Sequence, residues 1–332
     1  MGQKDQFERK QRDAAMQPSG DAAGMINQTM GSREWGILLL LAIIWGGSFL
    51  FIKVAVSHVP PLTFVWLRVA IAATALIVYT RLRGERGLAP GLLGAMLIVA
   101  LFNNVVPFLL FAWANTQIAS GLAAILNATT PLWGVVLAHL YTDDERMSRN
   151  RLCGVIVGIG GVALMMGPAL LGHFGTGLLA QLACLVGAAS YAVAGVYARR
   201  FKRMGVSAIT VTTSQLATSA LVLLPFMLFV DQPWNAAFPP LAAWGAILSL
   251  ALVCTAFAYV LYFRLIETSG ASNALLVPIL TPPTAILLGG LVLGEALHPR
   301  DFGGLLLIAV GLAAIDGRIF SLWRSRPLRP AA

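Results

Sequence analysis

The chain has 332 residues, of which 58% are hydrophobic and only 11% are charged, and its formal net charge is +9. This composition is typical of a protein embedded in lipid rather than of a large soluble domain. In a soluble protein the positive charge would suggest a nucleic-acid partner. Here the basic residues lie in the tails and in short gaps between apolar stretches, so no nucleic-acid binding is expected.

Ten apolar stretches follow one another along the chain. At a rise of about 1.5 Å per residue, helices of about 18–25 residues cross a hydrocarbon layer about 30 Å thick. The sequence therefore predicts an all-α membrane protein with ten transmembrane helices. The predicted spans are 35–56, 62–80, 91–115, 119–141, 151–168, 175–199, 207–230, 241–264, 270–293 and 302–320.

The two tails are polar and charged. Residues 1–34 contain no apolar segment of the kind found in signal peptides, so they are predicted to form a disordered cytoplasmic tail. Residues 321–332 are predicted to form a basic cytoplasmic tail.

The basic residues predict the orientation in the membrane. All of the 23 Lys and Arg except Lys53, Arg68 and Arg300 lie in the tails or at every second junction between spans. Lys and Arg in short loops favour the cytoplasmic side, so both termini are predicted to be cytoplasmic. The same loops are expected to contact anionic lipid head groups.

The two halves of the chain resemble each other. With a shift of 281 − 129 = 152 positions, Thr129 aligns with Thr281 and Pro131 aligns with Pro283. After a two-residue slip, two glycine pairs follow, which are Gly154 with Gly304 and Gly161 with Gly311. Five spans per repeat predict that the second repeat is inverted in the membrane, which is an architecture of secondary transporters. The predicted repeats are 35–168 and 175–320.

Several short sequence fragments lie at defined places along these spans. They are Trp45-Gly46-Gly47-Ser48-Phe49, Pro60-Pro61 with Arg68, Tyr262-Phe263-Arg264-Leu265, Gly270-Ala271-Ser272, Pro278 and Leu293-Gly294-Glu295-Ala296-Leu297. In order and spacing they resemble the EamA-type branch of the drug/metabolite transporter superfamily. The resemblance implies ten spans in two inverted five-helix repeats, and export of amino acids, amines or related metabolites in bacteria.

Polar side chains in the middle of a span are candidates for a binding site, because they are costly in lipid unless they are partnered or solvated. Asn103 and Asn104 are adjacent in span 3. Two alternatives are open for this pair. The amides form an interhelical hydrogen bond, worth about 0.6 kcal/mol on average, or they line a cavity.

Spans 4 and 9 combine polar residues with prolines at corresponding positions. Proline removes a helical hydrogen bond, and proline-interrupted spans in both repeats indicate a transporter's binding site. The alternative is a simple packing kink. The candidates from these spans are Asn127, Thr130, Trp133, Thr281 and Pro282.

Spans 1, 2 and 6 supply the remaining candidates, which are Trp45, Ser48, Arg68, Gln181, Ser190 and Tyr191. Trp45 lies too deep for the interfacial aromatic belt, so it packs either on a substrate or on Gly-rich helices. Arg68 either extends to the outer head groups or faces the cavity and binds a substrate carboxylate. Lys53 is predicted to extend to the head groups.

No metal, nucleophile or phosphate-binding motif occurs in the sequence, so neither an enzyme nor a cofactor is predicted. No Asp or Glu lies in the middle of a span, which favours movement down the solute gradient over proton antiport. The sequence predicts an alternating-access secondary transporter of the bacterial inner membrane. Its small-molecule substrates are expected to be neutral or aromatic amino acids, which it exports from the cell.

Two alternatives remain open from the sequence. The first is transport of other metabolites or drugs, such as amines, nucleosides or cationic compounds. The second, more remote, is a membrane enzyme or a scaffold. The sequence makes no prediction about the oligomeric state.

Overall fold

The computed structural model describes residues 30–85, 90–141, 148–166, 175–274 and 276–316. These residues are largely helical and contain no β-strand. The predicted C-terminal tail and the first 29 residues of the predicted N-terminal tail lie outside them.

Ten main helices occur in the described part of the chain, joined mostly by short connections. Their bounds are α1 Ser32–Val56, α2 Pro61–Leu82, α3 Leu93–Gln117, α4 Ser120–Tyr141, α5 Arg149–Met166, α6 Thr176–Arg203, α7 Ala208–Asp231, α8 Leu241–Ser269, α9 Val277–Leu293 and α10 Pro299–Asp316. Short helical turns lie at Pro90–Leu92, Pro233–Asn235 and Ala271–Ala274.

Seven of these helices, α1 to α4 and α6 to α8, are long and apolar enough to cross a membrane. Shorter apolar helices lie at Asn150–Met166 and Val277–Leu293. The number of ten transmembrane spans and the cytoplasmic position of both termini remain predictions.

Two apolar clusters form the interior of the bundle. The first joins α1, α2, α3, α7 and α8 around fully buried side chains such as Phe64 and Leu216. The second joins α3, α4, α6, α9 and α10 around Ile125 and Cys184. Each cluster contains side chains from both halves of the chain, and Tyr191 of α6 packs against both clusters.

Helices α5 and α10 pack closely through glycines. A Cβ atom on Gly154 would lie 2.4 Å from the carbonyl oxygen of Gly311, and one on Gly161 would lie 2.7 Å from that of Gly304. Any side chain at these positions would separate the helices. We call these four residues the glycine seam.

At one end of the bundle, Lys53 near the end of α1 interacts with the end of α3. Its Nζ atom donates to the carbonyl oxygens of Asn115, at 2.7 Å, and Ile118, at 2.9 Å. The last carbonyls of a helix lack intrahelical partners and carry partial negative charge. The prediction that Lys53 extends to the lipid head groups is therefore wrong.

At the same end, two carboxylates bind the beginnings of other helices. Oε2 of Glu295 accepts from the backbone nitrogen and the hydroxyl of Ser120, at 2.8 and 2.6 Å. Oδ2 of Asp231 accepts from the backbone nitrogen and hydroxyl of Thr63, at 2.7 and 2.9 Å. Both carboxylates thus complement the partial positive charge of a helix N-terminus. Together with Lys53 they tie α1 to α3, α4 to the segment after α9, and α7 to α2.

Candidate functional site: a central cavity

A cavity of about 680 Å³ lies between the two apolar clusters. Its lining comes from α1 to α4 and α6 to α9, so both repeats contribute. Pockets that hold small organic molecules have volumes of about 300–1,000 Å³. The cavity is therefore large enough for a metabolite of the size of an aromatic amino acid.

The cavity brings together eight of the thirteen candidates predicted from the sequence. They are Trp45, Ser48, Arg68, Asn103, Asn127, Thr130, Tyr191 and Thr281. The other five, Asn104, Trp133, Gln181, Ser190 and Pro282, are not in its lining.

Arg68 lies inside the bundle and not at the head groups, with only 9% of its surface exposed. Its Nε atom donates to the hydroxyl of Thr255 at 3.1 Å, and its guanidinium carbon lies 3.7 Å from the centre of the Phe108 ring. The ionisable groups around it are Tyr191, Tyr259 and Cys254. None of these is a carboxylate, so the guanidinium has no anionic partner among them.

Aromatic rings form much of the remaining lining. The Trp45 and Tyr262 rings are 5.2 Å apart at an angle of 47°. The Tyr191 ring stacks on Phe111 at 6.1 Å, and Phe111 in turn makes an edge contact with Phe49. Such surfaces bury an apolar or aromatic group without requiring hydrogen bonds from it.

A π-helical segment, Leu101–Val105, separates the roles of the two adjacent amides in α3. Asn103 lines the cavity together with Tyr259. Asn104 is fully buried instead, and its Nδ2 atom donates to the hydroxyl of Ser219 in α7 at 3.1 Å. Of the two predicted alternatives, lining of a cavity therefore describes Asn103, and an interhelical hydrogen bond describes Asn104.

Helix α4 is interrupted at residues 128–129, just before Pro131, as the proline pattern predicted. The hydroxyls of Thr129 and Thr130 donate to the carbonyls of Leu126 and Asn127, at 2.6 and 2.7 Å. The side-chain oxygen of Asn127 is buried and has no hydrogen-bond partner. Other atoms of Asn127 line the cavity, whereas this oxygen is itself covered.

The second repeat has its interruption at a different place. Helix α9 runs without a break through Pro282 and Pro283, and the break lies instead between the short helix Ala271–Ala274 and Val277. Thr281 lines the cavity, and its hydroxyl donates to the carbonyl of Val277 at 2.9 Å. Pro282 is buried in the helix packing.

The other predicted residues outside the lining are embedded between helices. The Ser190 hydroxyl donates to the carbonyl of Phe102, in the π-helical segment of α3, at 2.7 Å. The Gln181 side-chain oxygen and the Trp133 indole nitrogen are buried without a partner. These two groups do not meet the cavity in this conformation.

Several lining residues were missed in the sequence. They include Phe108, Tyr259, Tyr262, Cys254, Gln215 and Lys202. Tyr259, Tyr262 and Phe263 follow at helical spacing, so they present one aromatic face. That spacing indicates an aromatic face of α8, but not whether the face lies against lipid or against a cavity.

The cavity extends along the bundle to the end where α6 finishes and α7 begins. Phe201 and Lys202 of α6 and Ala208 of α7 belong to its lining there. In the predicted topology this is the cytoplasmic end. The opposite end is the one tied by Lys53, Asp231 and Glu295.

The charges of the lining are all positive. Among the described residues that line the cavity, Arg68 and Lys202 are cationic and no Asp or Glu is present. Buried charge is costly unless it is paired. The cavity is therefore electrostatically suited to a solute that carries a negative group.

Comparison with known proteins identifies the family. The model of the EamA-like transporter family matches residues 34–167 and again residues 178–315, so it covers most of the chain in two repeats. The chain belongs to the EamA-like transporter family. The resemblance inferred from the sequence fragments is confirmed.

Relatives of this EamA-like transporter cover most of its length. The uncharacterized transporter YoaV of Bacillus subtilis is 25% identical over 83% of this chain and 94% of its own. The uncharacterized inner membrane transporter YedA of Escherichia coli K12 is 27% identical over 86% of this chain and 92% of its own. An E. coli K12 protein named "Probable amino-acid metabolite efflux pump" is 26% identical over 85% of this chain and 94% of its own.

A solved crystal structure has the same fold, with a TM-score of 0.62 and 18% identity over 89% of this chain and 100% of that chain. The family and its relatives place this EamA-like transporter in the inner membrane as a multi-pass protein. They do not define its substrate.

Proposed function

We propose that the protein is a secondary transporter that exports small amphipathic metabolites, chiefly neutral or aromatic amino acids, by alternating access. The observation that carries the proposal is that Arg68 is buried in a cavity with aromatic walls, where no Asp or Glu is present among the described lining residues. A guanidinium binds a carboxylate through charge-assisted hydrogen bonds. The rings of Trp45 and Tyr262 offer an apolar surface for the solute's side chain.

In the proposed cycle, the cavity is loaded from the cytoplasmic end, which is the end lined by Phe201 and Lys202. The contacts made by Lys53, Asp231 and Glu295 hold the other end closed in this state. Export requires these contacts to break and the helices around Phe201 to close. Such rocking of two bundles about a fixed central site is typical of transporters with inverted repeats.

Among the described residues, the lining provides no carboxylate to carry a proton through the cycle. We therefore propose transport down the solute gradient, or exchange of one solute for another, without proton coupling. The relative named as an amino-acid metabolite efflux pump supports the choice of amino acids.

The test is counterflow in liposomes. The purified protein is reconstituted with unlabelled amino acids inside, and the entry of labelled phenylalanine or leucine is followed with and without a pH gradient. We expect saturable exchange that does not depend on the gradient. Exchange driven by the gradient would contradict uncoupled transport, and no exchange of any amino acid would contradict the proposed substrates.

Two variants test the site. Arg68→Met replaces the guanidinium by a shorter, unbranched apolar chain, and we expect it to abolish counterflow. Arg264→Met makes the same change at an exposed arginine of α8 that does not line the cavity, and we expect normal counterflow. Equal activity of both variants would contradict a role for Arg68 in binding.

A further inference from the structure

The charges around the cavity distinguish between two kinds of carboxylate. A zwitterionic amino acid brings an ammonium group together with its carboxylate, whereas an acylated or hydroxylated acid brings only the negative charge. Arg68 and Lys202 supply two positive charges to the lining, and no Asp or Glu is present there among the described residues. The lining thus contains a partner for the carboxylate and no charged partner for an ammonium.

We propose that, among the amphipathic carboxylates the cavity accepts, derivatives of aromatic or apolar amino acids whose α-substituent is uncharged, such as an acylamino or a hydroxyl group, bind more tightly than the zwitterionic amino acids themselves. This inference rests on the proposed transport function and names the substrate class of the same cavity.

The guanidinium of Arg68 retains hydrogen-bond donors that can bind an anion. Its Nε atom is already bound to Thr255, and the face of its guanidinium lies on Phe108. The terminal nitrogens have no hydrogen bond to another side chain in the described part of the chain. The hydroxyl-bearing rings of Tyr191 and Tyr259 are close enough to interact electrostatically with the guanidinium. A carboxylate held there would meet donors on several sides.

An α-ammonium group would be in an unfavourable position in the same complex. It is separated from its carboxylate by one carbon atom, so a carboxylate bound to Arg68 brings the ammonium close to the guanidinium. Like charges repel strongly in a low-dielectric interior. One face of Phe108 is already covered by Arg68.

Asn127 supplies what an uncharged substituent needs. Its side-chain oxygen is buried in the cavity wall and has no partner. Rotation of the Asn127 side chain would turn this oxygen into the cavity, where an amide N–H or a hydroxyl of the solute can donate to it without adding positive charge. The walls around Trp45 and Tyr262 bury the apolar remainder.

The test uses three probes with the same ring. N-acetyl-L-phenylalanine is an anion, L-phenylalanine is a zwitterion, and L-phenylalaninamide is a cation. Binding to the purified protein in nanodiscs is measured by isothermal titration calorimetry, which avoids leakage of weak acids through liposomes. We expect the anion to bind about tenfold more tightly than the zwitterion, because an uncompensated buried polar group lowers affinity by this order. We expect the cation not to bind.

Variants of Arg68 show whether the preference comes from its charge. Arg68→Lys keeps the charge and should keep the order of the probes, whereas Arg68→Met should lose the anion's advantage. Circular dichroism and size-exclusion chromatography verify that the variants fold. The exposed Arg264→Met variant serves as the matched control and should bind as the unmodified protein does.

The outcomes separate this inference from the proposed function. Tighter binding of phenylalanine than of its N-acetyl derivative would overturn the inference, while phenylalanine counterflow would still support transport of amino acids. Unchanged anion preference in Arg68→Met would overturn the assignment of the site. Binding of none of the probes, together with no counterflow, would overturn the inference and the proposed substrates together.

Discussion

Gly46 in α1 provides a sharp test of how closely α1 packs against α9. A Cβ atom on Gly46 would lie 1.9 Å from the hydroxyl oxygen of Thr284 in α9 and 2.9 Å from the backbone nitrogen of Ala285. The Thr284 hydroxyl also donates to the carbonyl of Ala42 at 2.8 Å, which joins the two helices. At the next position, a Cβ atom on Gly47 would meet only Leu288, at 3.5 Å, and Phe51, at 4.0 Å.

The two substitutions to alanine should therefore differ in sign. Gly46→Ala forces α1 and α9 apart and disturbs the Thr284 hydrogen bond, because the backbone of Ala285 cannot rotate away as a side chain can. Overpacking costs about 1–3 kcal/mol, and an interhelical hydrogen bond contributes about 0.6 kcal/mol. The higher helix propensity of alanine returns about 1 kcal/mol. These contributions give a net loss of about 0.6–2.6 kcal/mol for Gly46→Ala. Gly47→Ala keeps only the gain in helix propensity, so we expect it to be more stable by up to about 1 kcal/mol.

The measurement is the unfolding free energy of each purified variant in detergent micelles, determined by titration with a denaturing detergent. Both variants carry the same added methyl group on the same helix, so the intrinsic effect of alanine cancels in the comparison. Equal stability of the two variants would refute the close approach of α1 to α9 at Gly46. A loss of stability in Gly47→Ala alone would mean that the close contact with α9 lies at Gly47 and not at Gly46.

Further predictions concern single hydrogen bonds. Glu295→Ala should lower the unfolding free energy by about 1–3 kcal/mol by leaving Ser120 unpaired, while Glu295→Gln keeps an acceptor and should lose only about 0.3–1 kcal/mol of charge–dipole energy. Thermal unfolding distinguishes the two variants, and equal effects would contradict the stabilisation of the α4 N-terminus by the Glu295 charge. Asn104→Leu should lose about 0.6–2 kcal/mol of stability with its bond to Ser219. Asn103→Leu should instead weaken counterflow at nearly unchanged stability; the reverse pattern would contradict the assignment of the two amides.

Much of the fold could be predicted from the sequence, since hydropathy locates helices whose solvent is lipid. Helix α2, predicted at 62–80, occupies Pro61–Leu82. The ends were less predictable, because a helix can continue into water. Helix α8 extends past Arg264 to Ser269, where Gly270 adopts a positive φ of 83° and ends it.

The candidate site was only partly predictable. The rule that buried polar groups mark a site found Arg68 and Asn127, because both are expensive in lipid. It could not separate Asn103 from Asn104, since the π-helical segment Leu101–Val105 shifts the helical phase at these residues. It also missed Tyr259, because an aromatic residue in a span looks the same in sequence whether it faces lipid or a cavity.

The glycine seam between α5 and α10 has a self-complementary form. Gly154 and Gly304 are equivalent in the two repeats, as are Gly161 and Gly311, and the contacts run from Gly154 to Gly311 and from Gly161 to Gly304. Exchanging the repeats therefore maps one contact onto the other, as in the isologous interface of a symmetric dimer. Such a surface can join two identical five-helix proteins as readily as two halves of one chain. The seam preserves the symmetry of a dimer within a single polypeptide, which leaves the residues of the cavity free to differ between the halves.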